Sequence, residues 1–166
     1  MKRVSIVLST AAVVLWAAGA YAQAKPDFSG TWALDAEKTA SANPEGAGGG
    51  RGGRGGGGGG GGAMTIKQDA TSFTFTAGRE GAQPVVYKLD GSDTQVPMGR
   101  GGMGTAKAMW EGSTIVINTT RDMQGTMMTT KAVYAMEGDW LVVSTTNPGR
   151  EGGPATTFKR YYRKGM

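Results

Sequence analysis

From Trp110 to Trp140 the chain reads WEGSTIVINTTRDMQGTMMTTKAVYAMEGDW, and this stretch decides the fold class. Thr114–Thr120 and Met127–Met136 are rich in β-branched and aromatic residues that alternate with period two. Turns with a central glycine, Glu111–Ser113 and Glu137–Asp139, come directly before Thr114 and after Met136. Alternation of this kind between glycine turns predicts antiparallel strands joined as hairpins.

The same alternation recurs on both sides of this stretch, and no segment shows a convincing helical period. The pattern gives nine candidate strands, most of them separated by connections short enough for hairpins. The nine are Phe28–Asp35, Met64–Gln68, Ser72–Thr76, Pro84–Leu89, Thr105–Trp110, Thr114–Thr120, Met127–Met136, Trp140–Thr146 and Pro154–Arg163.

One face of these strands holds most of the large apolar side chains, and the other holds many threonines and lysines, as in a sheet with one wet face. An open meander of nine strands would leave two reactive edges, which closure into a barrel removes. We therefore predict an all-β, antiparallel, up-and-down barrel of about eight to ten strands, with a two-sheet sandwich as the alternative. An outer-membrane barrel is disfavoured because Lys88, Lys107 and Lys131 would face lipid.

The first 24 residues have the pattern of a signal peptide. Lys2 and Arg3 precede an apolar run from Val4 to Ala18, and small residues follow it in the spacing that signal peptidase recognises. Cleavage is predicted after Ala22 or Ala24, which leaves no membrane span in the mature chain. We expect a periplasmic or secreted protein of a Gram-negative bacterium.

The mature chain, residues 25–166, is predicted to be one domain with a disordered glycine-rich loop at 40–62. All but three of the residues from Gly46 to Gly62 are glycine, and such a tract buries no apolar area. Two Arg-Gly-Gly repeats, at Arg51 and Arg54, are too few and lack the aromatic residues of a nucleic-acid binder. A phosphate-binding loop is also excluded, since no Gly-x-x-x-x-Gly-Lys motif is present.

Composition narrows the chemistry further. The chain has no cysteine and no histidine, which excludes disulfides, thiol catalysis, imidazole bases and histidine-held metals. Its carboxylates fall at strand ends or in turns, where burial would not raise their pKa for acid–base work. The net charge of +5 falls to +3 without Lys2 and Arg3, too little for a nucleic-acid footprint. We therefore predict no catalytic residues, no cofactor and no enzymatic activity.

Methionine is the one soft ligand in good supply. Met98, Met103, Met123, Met127 and Met128 fall on or beside one rim of the predicted barrel. Thioethers suit Cu(I), so copper binding is a lesser alternative to their use as ordinary packing residues.

The loops with Arg100, Arg121 and Arg150 are predicted to share that rim, with the glycine loop at the other end. Arginines there would attract an anionic headgroup or would simply be solvated.

The leading functional prediction is that a small hydrophobic or amphipathic molecule binds inside the barrel. Six aromatic side chains and one arginine, which would orient a polar group, are the candidate ligand-binding residues. They are Trp32, Phe73, Phe75, Tyr87, Trp110, Tyr134 and Arg160. The same side chains would also suit a filled core, in which case the protein would be a non-catalytic structural or interaction module of the cell envelope.

The segment Asp27-Phe28-Ser29-Gly30-Thr31-Trp32 resembles the Gly-x-Trp opening motif of lipocalins and related calycin barrels. The resemblance implies that Trp32 closes one barrel end and that an arginine of the last strand packs over it. Arg160 is the best match, and Arg163 is the alternative. Met64–Asp69, Tyr87–Gly91, Trp110–Gly112 and Pro148–Pro154 are further segments similar to exported bacterial lipocalin-like proteins of unknown function. The chain departs from ordinary lipocalins in its enlarged glycine loop and in having no disulfide.

Overall fold

A computed structural model describes residues 25–44, 62–98, 102–123, 125–149 and 153–165. These residues form ten strands and one short helix, α1, at Ala36–Ser41. The first five strands are β1 Gly30–Asp35, β2 Met64–Gln68, β3 Ser72–Ala77, β4 Val85–Lys88 and β5 Asp90–Pro97. The other five are β6 Met103–Glu111, β7 Thr114–Met123, β8 Thr126–Glu137, β9 Trp140–Asn147 and β10 Thr156–Lys164. The predicted signal peptide and residues 45–61 of the predicted glycine loop lie outside the described residues.

All ten strands belong to one antiparallel sheet in the order β4-β3-β2-β1-β10-β9-β8-β7-β6-β5. The first and last strands of the chain pair in its middle, with Trp32 opposite Lys164 and Asp35 opposite Tyr161. The two ends of the order, β4 and β5, follow each other in the chain through Leu89, so the sheet curls into a nearly closed barrel. The predicted all-β barrel is therefore confirmed, and the sandwich alternative is wrong.

The two ends of the barrel differ in their connections. The short turns around Ala70, Gly112 and Gly138 lie at one end, which we call the base. The connections after β1, β3, β5, β7 and β9 lie at the other end, which we call the loop end, and all of them except the two-residue β7–β8 turn are longer. Gly112 and Gly138 both have positive φ, near 60°, which lets two-residue turns join β6 to β7 and β8 to β9.

Strand β5 is missing from the nine predicted strands, which leave residues 90–104 as a connection. The polar residues at the start of this connection lack apolar alternation, and they are in a strand because they pair with β6 around a β-bulge between Asp90 and Asp93. The extra strand changes which loops share an end. The strands on either side of the glycine tract meet it at the loop end. The strands next to Arg100 and Arg150, and the part of β7 that holds Arg121, lie at this end too. The prediction that the glycine loop lies at the opposite end from these arginines is therefore wrong.

Helix α1 is a second correction, because the sequence prediction had no helix and began a disordered loop at residue 40. Asp35 caps α1 by accepting a hydrogen bond from the Lys38 backbone N–H at 2.8 Å. Beyond the helix, the Asn43 side chain pairs with both the N–H and the C=O of Lys159, at 3.1 and 2.8 Å. The Thr39 hydroxyl accepts from Tyr161 N–H at 3.0 Å. Thr39 and Asn43 thus bind the part of β10 that is nearer the loop end, where β1 has already ended.

Candidate functional site

The barrel interior is the candidate site, because every predicted ligand-binding residue faces it. Trp32, Phe73, Phe75, Tyr87 and Tyr134 are at most 6% exposed and belong to the single hydrophobic core. Trp110 and Arg160 face the same way and are only half-buried. The inward direction of all seven follows from period-two alternation on β1, β3, β4, β6, β8 and β10.

The base is closed by the segment that precedes β1. Phe28 is fully buried and stacks on Trp110 of β6, with the ring centroids 5.9 Å apart. Its backbone N–H donates to the Gln68 side chain of β2 at 3.1 Å. Since β2 and β6 are not neighbours in the sheet, this segment crosses the base from one wall to the other.

Trp32 supports this closure, as the lipocalin resemblance implies. Its indole N–H donates to the Phe28 carbonyl at 2.8 Å. The cation over its ring is Lys164, whose Nζ lies 5.8 Å from the ring centroid. Gly30 has a φ of 138°, and a Cβ there would lie 2.8 Å from the Lys164 Cε. The glycine of Gly-x-Trp therefore leaves room for the lysine side chain to lie on the tryptophan.

The two arginines expected over Trp32 lie elsewhere, so this part of the prediction is wrong. The Arg160 guanidinium lies over Phe158, 4.9 Å from the ring centroid. Arg163 points outward because it is one residue out of phase with the inward side chains Arg160 and Tyr162. It stacks on Trp140 at 4.3 Å and pairs with Asp35 at 3.3 Å.

Aromatic side chains fill the interior above the base. The Phe73 ring on β3 meets the Tyr134 ring on β8 edge-to-face, with centroids 4.9 Å apart, and Tyr87 lies 6.3 Å from Phe73. Strands β3 and β8 belong to opposite halves of the strand order and lie on facing walls of the barrel, so this contact spans the interior. The predicted aromatic residues of this layer are therefore packed against one another.

Three tyrosines carry their hydroxyls into this apolar layer. Burial raises the pKa of Tyr87 to about 12 and raises the pKa of Tyr134 and Tyr162 above the ordinary value. The positive charge of Arg160 partly opposes the rise of the pKa of Tyr134 and Tyr162. Arg160 thus lies within electrostatic range of both hydroxyls, at the boundary between the aromatic layer and the loop end.

The loop end of the interior has a different lining, which we call the loop-end chamber. On one side the inward residues Leu34, Ala77 and Val85 of β1, β3 and β4 are apolar and half-buried. The other side, on β7 to β10, mixes polar and apolar side chains. They are Thr119, Arg121, Met128, Thr130, Ala132, Thr145, Asn147, Phe158 and Arg160, of which only Thr119 and Thr130 are fully buried.

In the strands that the structure describes, the chamber carries positive charge and no carboxylate faces it. All acidic residues in the ten described strands face outward: Asp35, Asp90, Asp93, Glu111, Asp122 and Glu137. Two of them pair with outward lysines, Asp93 with Lys107 at 3.3 Å and Glu111 with Lys131 at 3.8 Å. The two inward arginines, Arg121 and Arg160, therefore give the chamber a net positive charge.

The sequence prediction counted Arg121 among the rim arginines that would attract an anionic headgroup or be solvated, and not among the residues inside the barrel, although a signal was present. The predicted strand ended at Thr120, which put Arg121 in a rim loop. In the structure β7 continues to Met123, so the inward alternation Ile115, Ile117, Thr119 reaches Arg121. Phe28 begins the first predicted strand, but its role in closing the base depends on long-range packing.

The five predicted copper ligands do lie at the loop ends of β5 to β8. Met103, Met123 and Met127 are exposed, whereas Met98 and Met128 are half-buried on the inward face. Within the described residues no three His, Cys, Asp or Glu side chains come together as a metal site. Copper binding stays a prediction that Cu(I) titration would test.

A further feature lies outside the chamber. A pocket of about 360 Å³ lies at the base and is lined by Ala70, Thr71, Ser72, Lys88, Leu89 and Asp90. It is on the outer surface, separated from the chamber by the aromatic layer. Across the described parts of the chain, no helix has the length and apolar character needed to cross a membrane.

No protein-family model and no curated protein matches the chain. Among solved structures, the fold is similar to that of the zebrafish ileal bile acid-binding protein, crystallised with cholic acid. The TM-score is 0.52 at 17% identity, and the match covers 83% of this chain and 98% of that chain. This likeness confirms the calycin-type barrel expected from the Gly-x-Trp motif. Membership among exported bacterial lipocalin-like proteins stays a prediction.

Proposed function

We propose that the protein binds a small hydrophobic or amphipathic molecule in the loop-end chamber. The observation that carries this proposal is the contrast in burial within one interior. The aromatic layer is packed to near-zero exposure, while apolar side chains of the chamber, such as Leu34, Val85 and Phe158, stay half-buried. Inward apolar surface of this kind supplies affinity when a ligand covers it, and a few polar groups orient the ligand. Arg160 and the nearby tyrosine hydroxyls are the orienting groups.

The structural neighbour supports the same class of ligand. That protein was crystallised with cholic acid, and its barrel aligns with most of this chain. At 17% identity the fold is shared, and the ligand identity belongs to the neighbour. For this protein we therefore propose only the class of small hydrophobic or amphipathic molecules.

The experiment is to extract the purified protein with organic solvent and identify retained small molecules by mass spectrometry. In parallel, dodecanoate and dodecan-1-ol are titrated calorimetrically into the delipidated protein. Ala132→Phe places a large ring in the chamber and is expected to lower affinity for both probes at least tenfold. Ala33→Phe, the same change on the outer face of β1, is expected to leave affinity unchanged.

Retention of no small molecule together with no binding of either probe would contradict the proposal. It would favour the alternative of a non-catalytic structural or interaction module of the envelope. That alternative is supported by the packed aromatic layer, because its side chains belong to an ordinary hydrophobic core. Thermal unfolding of both variants verifies that they are folded.

We further propose that the protein is exported and acts by binding, without catalysis. The export proposal rests on the basic, apolar and small-residue order of residues 1–24. Intact-mass measurement of protein recovered from the periplasm is expected to show a chain that begins at Gln23 or Lys25. The non-catalytic proposal rests on the outward placement of the strand carboxylates and on the absence of histidine and cysteine from the sequence.

A further inference from the structure

Arg121 is one of the two inward arginines of the chamber, and it differs from Arg160 in having a buried nitrogen atom without a partner among the described residues. Its Nε is buried, and it has no hydrogen-bond partner among the described residues. A buried polar atom without a partner costs stability, and the cost is larger when the group is charged. Such an atom in a functional protein therefore points to a partner that arrives from outside.

Among the described residues, no carboxylate forms an ion pair with Arg121. The adjacent acid, Asp122, faces outward, and its carboxylate accepts a hydrogen bond from Gly125 N–H at 2.6 Å. On the neighbouring strand β8, Met128 lies directly opposite Arg121. Below it, Thr130 donates to the Asn147 side chain at 3.3 Å, so these two polar groups are paired with each other.

On the other side of Arg121 the chain makes room for an apolar neighbour. Gly104 continues the β6–β7 register opposite Arg121, and a Cβ at Gly104 would lie 3.1 Å from the Met98 sulfur. The Met98 side chain therefore lies over the glycine, on the inward face. Arg121 is thus flanked by Met98 and Met128, whose thioethers accept hydrogen bonds only weakly.

We infer that Arg121 binds the acidic group of an amphipathic ligand at the loop end of the chamber. The inference rests on the proposed function and adds the charge and the orientation of the ligand. A carboxylate matches a guanidinium in both charge and planar geometry. Arg160 is the weaker candidate for this role because it already lies over Phe158 and close to tyrosine hydroxyls. The ligand therefore lies with its acidic group toward Arg121 and its apolar body against Leu34, Val85 and Phe158.

The test compares dodecanoate with dodecan-1-ol, which share a chain length and differ in charge. Calorimetric titration of the full mature protein is expected to show that dodecanoate binds more tightly. Arg121→Gln is expected to weaken dodecanoate binding roughly tenfold to a hundredfold, as for loss of a charge-assisted hydrogen bond, and to leave dodecan-1-ol unchanged. Arg121→Lys keeps the charge and is expected to fall between. Arg79→Gln is the matched control, since Arg79 is an exposed arginine at the same end.

The outcomes separate the two proposals. If both probes bind equally well, or if Arg121→Gln weakens both alike, the role of Arg121 is wrong and the proposed function stands. If neither probe binds, the proposed function fails for this class of molecules and the inference fails with it.

Thermal unfolding adds an independent readout. Arg121→Met removes a buried unpaired donor, so the unliganded variant is expected to melt no lower than wild type, and a clear drop in Tm would indicate a structural role instead.

Discussion

The base and the loop end of the barrel are built from the same ten strands but have opposite interiors. At the base, Phe28, Trp32 and Phe73 are packed to 1% exposure or less, and two lysines cover the indole rings of Trp32 and Trp110. At the loop end most inward side chains are half-buried, and they include two arginines that no acidic residue of the described strands faces. The difference fits the proposed function, in which the base stabilises the fold and the loop end binds the ligand.

The sharpest test of this difference is a pair of phenylalanine truncations. Phe73→Ala removes a fully buried ring that contacts Tyr87 and Tyr134, and is expected to lower the free energy of unfolding by about 3–5 kcal/mol. Phe158→Ala, in the chamber, is expected to lower it by about 1 kcal/mol but to weaken ligand binding. Urea unfolding measures both variants, and equal losses of stability would contradict the comparison.

The next effect is a loss of stability at alkaline pH. The pKa of Tyr87 is about 12 in the folded state against 10 ordinarily, so the unfolded chain releases this proton first. The contribution of Tyr87 to stability is then constant below pH 10 and falls as the pH rises from 10 to 12, by on the order of 3 kcal/mol. Unfolding at fixed urea, followed with the phenolate absorbance, measures this fall. Tyr87→Phe is expected to reduce it, and an unchanged pH profile would show that the aromatic layer admits water.

The smallest effect concerns the side-chain pairing that holds α1 on β10. Asn43→Ala removes both hydrogen bonds to the Lys159 backbone and is expected to cost about 1–2 kcal/mol. Hydrogen exchange at the Lys159 and Tyr161 amides is expected to accelerate, while exchange at the base stays slow. Ser41→Ala is the control, because that hydroxyl bonds only within the helix, to the Glu37 carbonyl. Faster exchange at the base would show that the two ends unfold together.

The fold could be predicted largely because its signal is local. Alternation on β6 to β10 identifies the inward face residue by residue, and glycines such as Gly112 and Gly138 mark the hairpins. The candidate interior residues follow from the same alternation, so all seven face inward. Strand β5 was missed because its residues, from Asp90 to Gln95, are polar and carry no alternation of their own. It is a strand because β6 provides a partner.

Helix α1 could not be found from periodicity for a similar reason. Six residues are too short to show a helical pattern or to be stable alone, and α1 is stable because Asp35 caps it and Thr39 and Asn43 bind β10. The end of β7 was also placed three residues too early, at Thr120 and before Arg121. Strand ends depend on pairing with β6 and β8, which a single strand does not reveal.

The sequence by itself determined the class of fold, the inward face and the excluded chemistries, because alternation and the lack of histidine and cysteine are properties of the residues alone. Only the tertiary structure decided that Lys164 is the cation on Trp32 and that the aromatic residues fill the base. The same holds for Arg121, whose buried Nε has no partner among the described residues. These features depend on which strands meet across the barrel and in which register, and those distances are set only when the sheet closes.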